Sequence, residues 1–227
     1  QLTGQVTVED CECVGEECYV KFGPGTVNVT AGPGGPCEVV DNGSGSVDLP
    51  PAGCEYLSPE EVHKIIDGLP VGTEIHLAPI HKDFICHEGQ QGVCSFPLGV
   101  DCREDGGDLG GEKECSDSTL EFQLTGTGTL LGWNRMVTIP NTSFETHIGK
   151  KKPFEPVQSF PTEMFRLFGQ FSNIGDPDFD LLRITAGNDF GMPSPGHTTL
   201  TQLPGGNWAV DSFFDIEYRI DFVGSNA

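Results

Sequence analysis

The chain has 227 residues, enough for one or two domains with a proper core. It carries 34 acidic against 12 basic residues, a formal net charge of −22, which argues against nucleic acid and anionic membrane surfaces as partners, because phosphate contacts require a basic face. The excess of carboxylates suits either divalent cations or an extracellular protein kept in solution by its own charge; no apolar run is long enough to cross a bilayer as a helix, so no membrane insertion is expected.

With 31 Gly and 17 Pro the sequence is cut into short segments, as all-β proteins are, while 15 Phe and repeated alternating runs indicate packed structure instead of disorder. Residues 1–56 hold brief alternating runs at 5–8 and 27–30, separated by Gly/Pro/Ser turns at 31–36 and 41–46. Gln1 in place of Met reads as the start of a mature secreted chain. The nine cysteines, Cys11, Cys13, Cys18, Cys37, Cys54, Cys86, Cys94, Cys102 and Cys115, all fall in the first half. They show no CxxC spacing and match no zinc ribbon or finger, so a disulfide framework is expected. Bridges among Cys11–Cys54 and among Cys86–Cys115 would leave the odd thiol in the first group, where it is free, modified or joined to another chain. No core of ordinary size fits in 1–56, and the bridges must compensate.

The spacing predicts one helix, over 58–67. Ser58 serves as N-cap, Pro59 takes the first helical position and Glu61 completes a capping box. Val62, Ile65 and Ile66 make its apolar stripe, and Gly68 and Pro70 end it.

From 73 onward the sequence reads as strands. Residues 73–80 alternate, with Ile75 and Leu77 on one face, and 101–118 read as an acidic, glycine-rich surface loop. Residues 119–131 alternate again, with Leu120, Phe122 and Leu124 inward, and strands at 135–139 and 143–148 precede a basic connector at 150–156. Further strands are expected at 163–171 and 181–185, followed by a hairpin pairing 198–202 with 208–211 across Leu203–Asn207. The last run, 211–224, reads as one long half-buried strand: Phe214, Ile216, Tyr218, Ile220 and Phe222 share one face, and Asp215, Glu217, Arg219 and Asp221 the other. The predicted fold is therefore all-β, a β-sandwich with one short helix. Residues 1–56 form a disulfide-rich arm or layer, and 57–227 the sandwich domain with its short leading helix.

Nothing in the sequence marks an enzyme. Nucleophile-elbow, zinc-protease, P-loop and dinucleotide motifs are all missing. The cofactor candidate is Ca²⁺: Asp176, Asp178 and Asp180 place three carboxylates at alternating positions in a turn, as a hard cation requires, although the same pattern suits a turn closed by side chain–backbone bonds. Asp101, Asp105, Asp108 and Glu112 make a second acidic loop. His76, His81 and His87 cluster with Cys86 but at no known ligand spacing, while His63 is placed on the surface of the helix and His197 in a turn. Trp133 and Trp208 are assigned to cores. Sequons at Asn28, Asn42 and Asn141 are glycosylation candidates.

The phrases at 57–75 and 184–224, the second containing Asp211-Ser-Phe-Phe-Asp-Ile-Glu-Tyr-Arg-Ile-Asp-Phe-Val-Gly224, resemble segments of large secreted or cell-surface β-rich proteins of environmental bacteria. That resemblance implies an extracytoplasmic structural or adhesive protein; together with the long strands and the disulfide-rich N-terminal arm it leads to the expectation of an extracellular structural protein, a self-assembling surface-layer, matrix or filament subunit whose partner is itself, as a homopolymer or lattice. A calcium-dependent adhesion module or a carbohydrate-binding module, with glycans as partners, is the alternative.

Overall fold

The computed structural model describes residues 8–14, 17–22, 30–31, 37–41, 43–57, 63–65, 69–86, 93–97, 102, 109–172 and 176–225. Six short strands come first: β1 (Val8–Val14), β2 (Glu17–Phe22), β3 (Thr30–Ala31), β4 (Cys37–Val39), β5 (Tyr56–Leu57) and β6 (His63–Ile65). β7 (Ile75–Ile85) and β8 (Cys94–Pro97) lead to the long strands β9 (Gly110–Gly126), β10 (Asn134–Gly149) and β11 (Val157–Phe171). β12 (Phe179–Ala186), β13 (Pro195–Gln202), β14 (Trp208–Phe214) and β15 (Tyr218–Gly224) follow. Among the described residues the helical content is two single 3₁₀ turns, Gly128–Leu130 and Asn188–Phe190. The all-β class predicted from the sequence is what the chain adopts.

Hydrogen bonds join the fifteen strands into one sheet, whose main path runs β1-β2-β15-β12-β11-β10-β9-β7-β5-β3. The pairings are antiparallel throughout. β11 is long enough to hold two partners along one edge: Val157–Glu163 pairs β13, and Leu167–Phe171 pairs β12. The sheet forks there into a β13-β14-β4 branch and a β12-β15-β2-β1 branch. The sheet also curls, bringing Tyr56 of β5 against Phe214 of β14. The surfaces that face each other thus belong to one curled, hydrogen-bonded sheet. Strands from the first 56 residues are part of it, β2 lying along β15, β4 along β14 and β5 along β7.

Alternation builds the core. On β9, Leu120, Phe122 and Leu124 are buried, while Glu121 and Gln123 are partly exposed. Their layer continues through Val137, Ile139 and Phe144 of β10 to Met164 and Leu167 of β11. A second, smaller cluster gathers around Trp208, which is 0 % exposed among Val47, Phe160 and Leu200. The Trp208 indole N–H donates to Asp41 Oδ2 at 3.0 Å, so the polar atom of this buried ring is satisfied.

Three local expectations are corrected. The predicted helix over 58–67 is overturned at its centre: His63–Ile65 is the strand β6, with Ile65 opposite Ile75 and His63 opposite Leu77, and the rest of 58–67 lies outside the described residues. A cap contributes about 1 kcal/mol. Burying Ile65 against the sheet contributes about 1.5–3 kcal/mol and adds ladder hydrogen bonds, so tertiary pairing outweighs the local signal. The single long strand over 211–224 is two strands. At the break Asp215 N–H donates to Pro195 O at 2.7 Å and Glu217 N–H to Ser194 Oγ at 3.2 Å. β14 stays with β13 while β15 passes to β12 and β2. Finally, 110–118 is not a surface loop but the first half of β9, with Lys113, Glu114 and Ser116 buried.

Candidate functional sites

One end of the sheet is the β1–β2 hairpin. It docks on β15 through the pairs Val20–Ile220 and Cys18–Phe222. Among the described residues β1 pairs with β2 alone, so its outer edge carries a row of N–H and C=O groups spaced for another strand. Cys13 stands opposite Cys18 in the register, and Cys11 opposite Val20. Elsewhere the disulfides are Cys37–Cys54, Cys86–Cys94 and Cys102–Cys115. The expected grouping holds for these bridges: the first lies within the N-terminal set of cysteines, the other two within the second set.

The Asp176–Asp180 turn is built around Arg135. The Arg135 guanidinium donates through Nη2 to Asp176 Oδ2 and through Nη1 to Asp178 Oδ2, and the Trp133 indole N–H donates to Asp178 Oδ1 at 3.2 Å. Asp176 Oδ1 accepts the N–H groups of Asp178 and Phe179, each at 3.0 Å, which is the turn-closing role the sequence allows. Burial alone would raise the Asp176 carboxyl; Arg135 and the two backbone N–H groups outweigh it and hold it below the usual carboxylate range. Asp180 is exposed. The turn therefore brings Asp176 and Asp178 together on an internal cation, with Asp180 apart from them. Among the described residues no group of three or more His, Cys, Asp or Glu side chains is arranged to hold a metal ion.

Charged side chains whose burial no local pattern predicts lie along β9 and β10 and beside the connector that follows. His147 is enclosed, stacked on Phe165 with ring centroids 4.1 Å apart, and its Nε2 lies 2.8 Å from Glu145 Oε1. Lys113 Nζ is 3.9 Å from the same oxygen. Closer to the connector, Lys151 Nζ donates to Glu114 Oε1 at 2.6 Å and to Glu112 Oε2 at 2.8 Å, while Glu114 Oε2 accepts the Leu49 N–H. Burial pushes the Glu114 carboxyl up to about 8, against the pull of Lys151. On Lys151 burial acts downward, and the carboxylates of Glu114 and Glu112 carry the ammonium upward. Long-range pairing supplies each charge with its partner here, Lys113 and Glu114 being brought to β10 and to Lys151 only by the fold. No apolar/polar alternation in 110–118 signals it locally.

The interior of the curl is apolar. A cavity of about 80 Å³ is bounded by Leu77 of β7, Leu120 and Phe122 of β9, Phe144 of β10, and Met164 and Leu167 of β11. Phe214, Ile216, Tyr218 and Ile220 close the other side, so the alternation of the last run survives the break in its hydrogen bonding. His81 also borders the cavity; its Nε2 is 2.6 Å from Ser118 Oγ, which in turn donates to Thr142 O at 3.0 Å. Burial lowers the His81 imidazole to about 3.

The remaining predicted residues are dispersed. His76 and His81 fall on opposite faces of β7, one beside Glu74 and the other in the core. Cys86 is bridged, and His87 lies outside the described residues. His63 is in β6, and His197 Nε2 is 2.8 Å from Ser159 Oγ on the outer face of β11 and β13. Asn141 is exposed at a bulge in β10 with φ 56°, and Asn28 and Asn42 lie outside the described residues, as do Asp101, Asp105 and Asp108. Comparison with protein-family models, with curated proteins and with solved structures gave no match.

Proposed function

We propose that this chain is an extracellular structural subunit that associates with copies of itself through the β1 end of its sheet. The carrying observation is the outer edge of β1, which among the described residues has no strand beside it. A second chain adding a strand there would gain main-chain hydrogen bonds without any preformed pocket. Six of the nine cysteines are in the three disulfides described, leaving Cys11, Cys13 and Cys18 in the same hairpin. An odd set at the joining edge gives a route to a covalent link between chains. The disulfides fit an oxidising compartment, and no described helix is long and apolar enough to cross a membrane. The acidic surplus makes neighbouring copies repel, so assembly is expected to strengthen with salt or calcium, which screen that repulsion.

Negative-stain images of the non-reduced protein across a concentration series, with and without calcium, test this reading. Sheets, filaments or lattices are expected at high concentration. Dispersed single particles under every condition would overturn it.

A further inference from the structure

The cavity inside the curled sheet has two properties that together define an occupant. It is apolar: its lining is almost wholly hydrocarbon, with His81 Nε2 turned to Ser118 and the Tyr56 hydroxyl to Ser212. Ser212 is itself bonded to Thr198 at 2.8 Å. A buried water needs about two to four polar partners, and so apolar a lining is poorly suited to supply them. It is also larger than a packing gap. Its volume of about 80 Å³ compares with roughly 10–15 Å³ for a single water site and about 150 Å³ for an apolar cavity that takes up benzene.

The wall is not equally deep all round. Leu77, Leu120, Phe122 and Ile220 are fully enclosed, whereas Leu57, Pro79, Ile216 and Tyr218 are half-buried and mark the solvent side. Ile216 belongs to the link between β14 and β15, where strand pairing lapses. The chain as a whole carries a formal net charge of −22, so an anionic head group outside the mouth would meet a repulsive field.

We propose that this cavity is a binding site for the end of an alkyl chain, which enters past Ile216 and leaves a neutral or cationic head group outside. A single chain end matches a space smaller than a ring pocket, the apolar lining selects hydrocarbon, and the chain's net negative charge disfavours a carboxylate head. No covalent step is involved.

The test titrates octanol, octylamine and octanoate into the wild-type protein and follows the methyl signals of Leu120, Met164 and Ile184 by NMR. Saturable shifts at these methyls with octanol and octylamine are expected, with octanoate at least threefold weaker at low salt. Two variants fill the space from different strands, Leu120→Phe on β9 and Ile184→Phe on β12. Whichever keeps the wild-type near-UV circular dichroism should bind octanol at least tenfold more weakly. Absence of saturable shifts in the wild type would overturn the proposal whatever the variants do. Equal binding by a folded filled variant would overturn it too, and octanoate binding as well as octanol would overturn the head-group assignment.

Discussion

The Tyr56 and Phe214 rings pack with centroids 6.1 Å apart, although β7, β9, β10, β11 and β13 lie between their strands in the sheet. Their contact is where the curl closes, and it should be energetically coupled. Phe214→Ala is expected to cost about 3–5 kcal/mol, as for a buried aromatic residue. A double-mutant cycle with Tyr56→Phe and Tyr56→Ala should give a ring-pair coupling of about 0.5–1.5 kcal/mol that Tyr56→Phe preserves. Denaturant unfolding reads both, and strict additivity would mean the rings do not act together.

Arg135 and a calcium ion would compete for the same oxygens of Asp176 and Asp178. Removing the guanidinium leaves the buried Asp176 without its cation, so Arg135→Ala should lower the Tm in calcium-free buffer. Added calcium should then raise the Tm of Arg135→Ala more than that of the wild type. Since the Asp176 carboxyl is held low, the stability from this pairing is present above its unfolded value and lost as pH falls through the folded one. Thermal scans with and without calcium check both statements.

His81 sets a pH limit from the acid side. The folded chain keeps this imidazole neutral down to about 3, whereas its unperturbed value is 6.5. The unfolded state therefore binds an extra proton between those values, and stability falls as pH drops from 6.5 toward 3. Imidazole NMR signals of His81 should stay in the neutral form at pH 5, and His81→Phe should flatten the acid limb of the stability curve. An imidazole that titrates near 6.5 in the folded protein would refute the prediction.

Glu114 acts with the opposite sign. Its folded value of about 8 lies above the ordinary 4.5, so the stability it contributes is complete below 4.5 and is lost as pH rises through 8. Lys151→Met removes the cation that pulls the Glu114 carboxyl down, so the folded value should rise further and the loss of stability should move to higher pH. Glu114→Gln should remove this part of the pH dependence, while the amide oxygen still accepts from Lys151 or Leu49. Urea unfolding at several pH values measures the two slopes.

A non-reducing peptide map should recover Cys37–Cys54, Cys86–Cys94 and Cys102–Cys115 as linked peptides. Cys37–Cys54 spans 17 residues, and replacing both cysteines with serine should cost about 3 kcal/mol, the loop-closure value for that length.

Period-two alternation carried most of the fold into view. It placed Leu120, Phe122 and Leu124 inward, paired 198–202 with 208–211, and kept Phe214, Ile216, Tyr218 and Ile220 on one face. It failed where a partner distant in sequence decides. His63–Ile65 carries helix signals on either side, yet β7 draws it into the sheet. Lys113 and Glu114 look like loop residues until β10 and Lys151 supply counter-charges. The aspartate pattern at 176–180 was legible as a turn, but nothing local could show that Arg135, some 41 residues earlier, would occupy it. The cavity was likewise invisible, because it depends on how far the sheet curls.

The central claim, self-association at the β1 edge, is tested most directly by sedimentation velocity of the non-reduced chain over a wide concentration range. Alongside it run the variants Glu12→Pro and Cys11→Pro, which between them remove a backbone N–H from each side of the strand. Sedimentation coefficients should climb with concentration in the wild type and stay at the monomer value in at least one proline variant. A wild-type chain that remains monomeric throughout, or proline variants that both assemble as readily as the wild type, would contradict it.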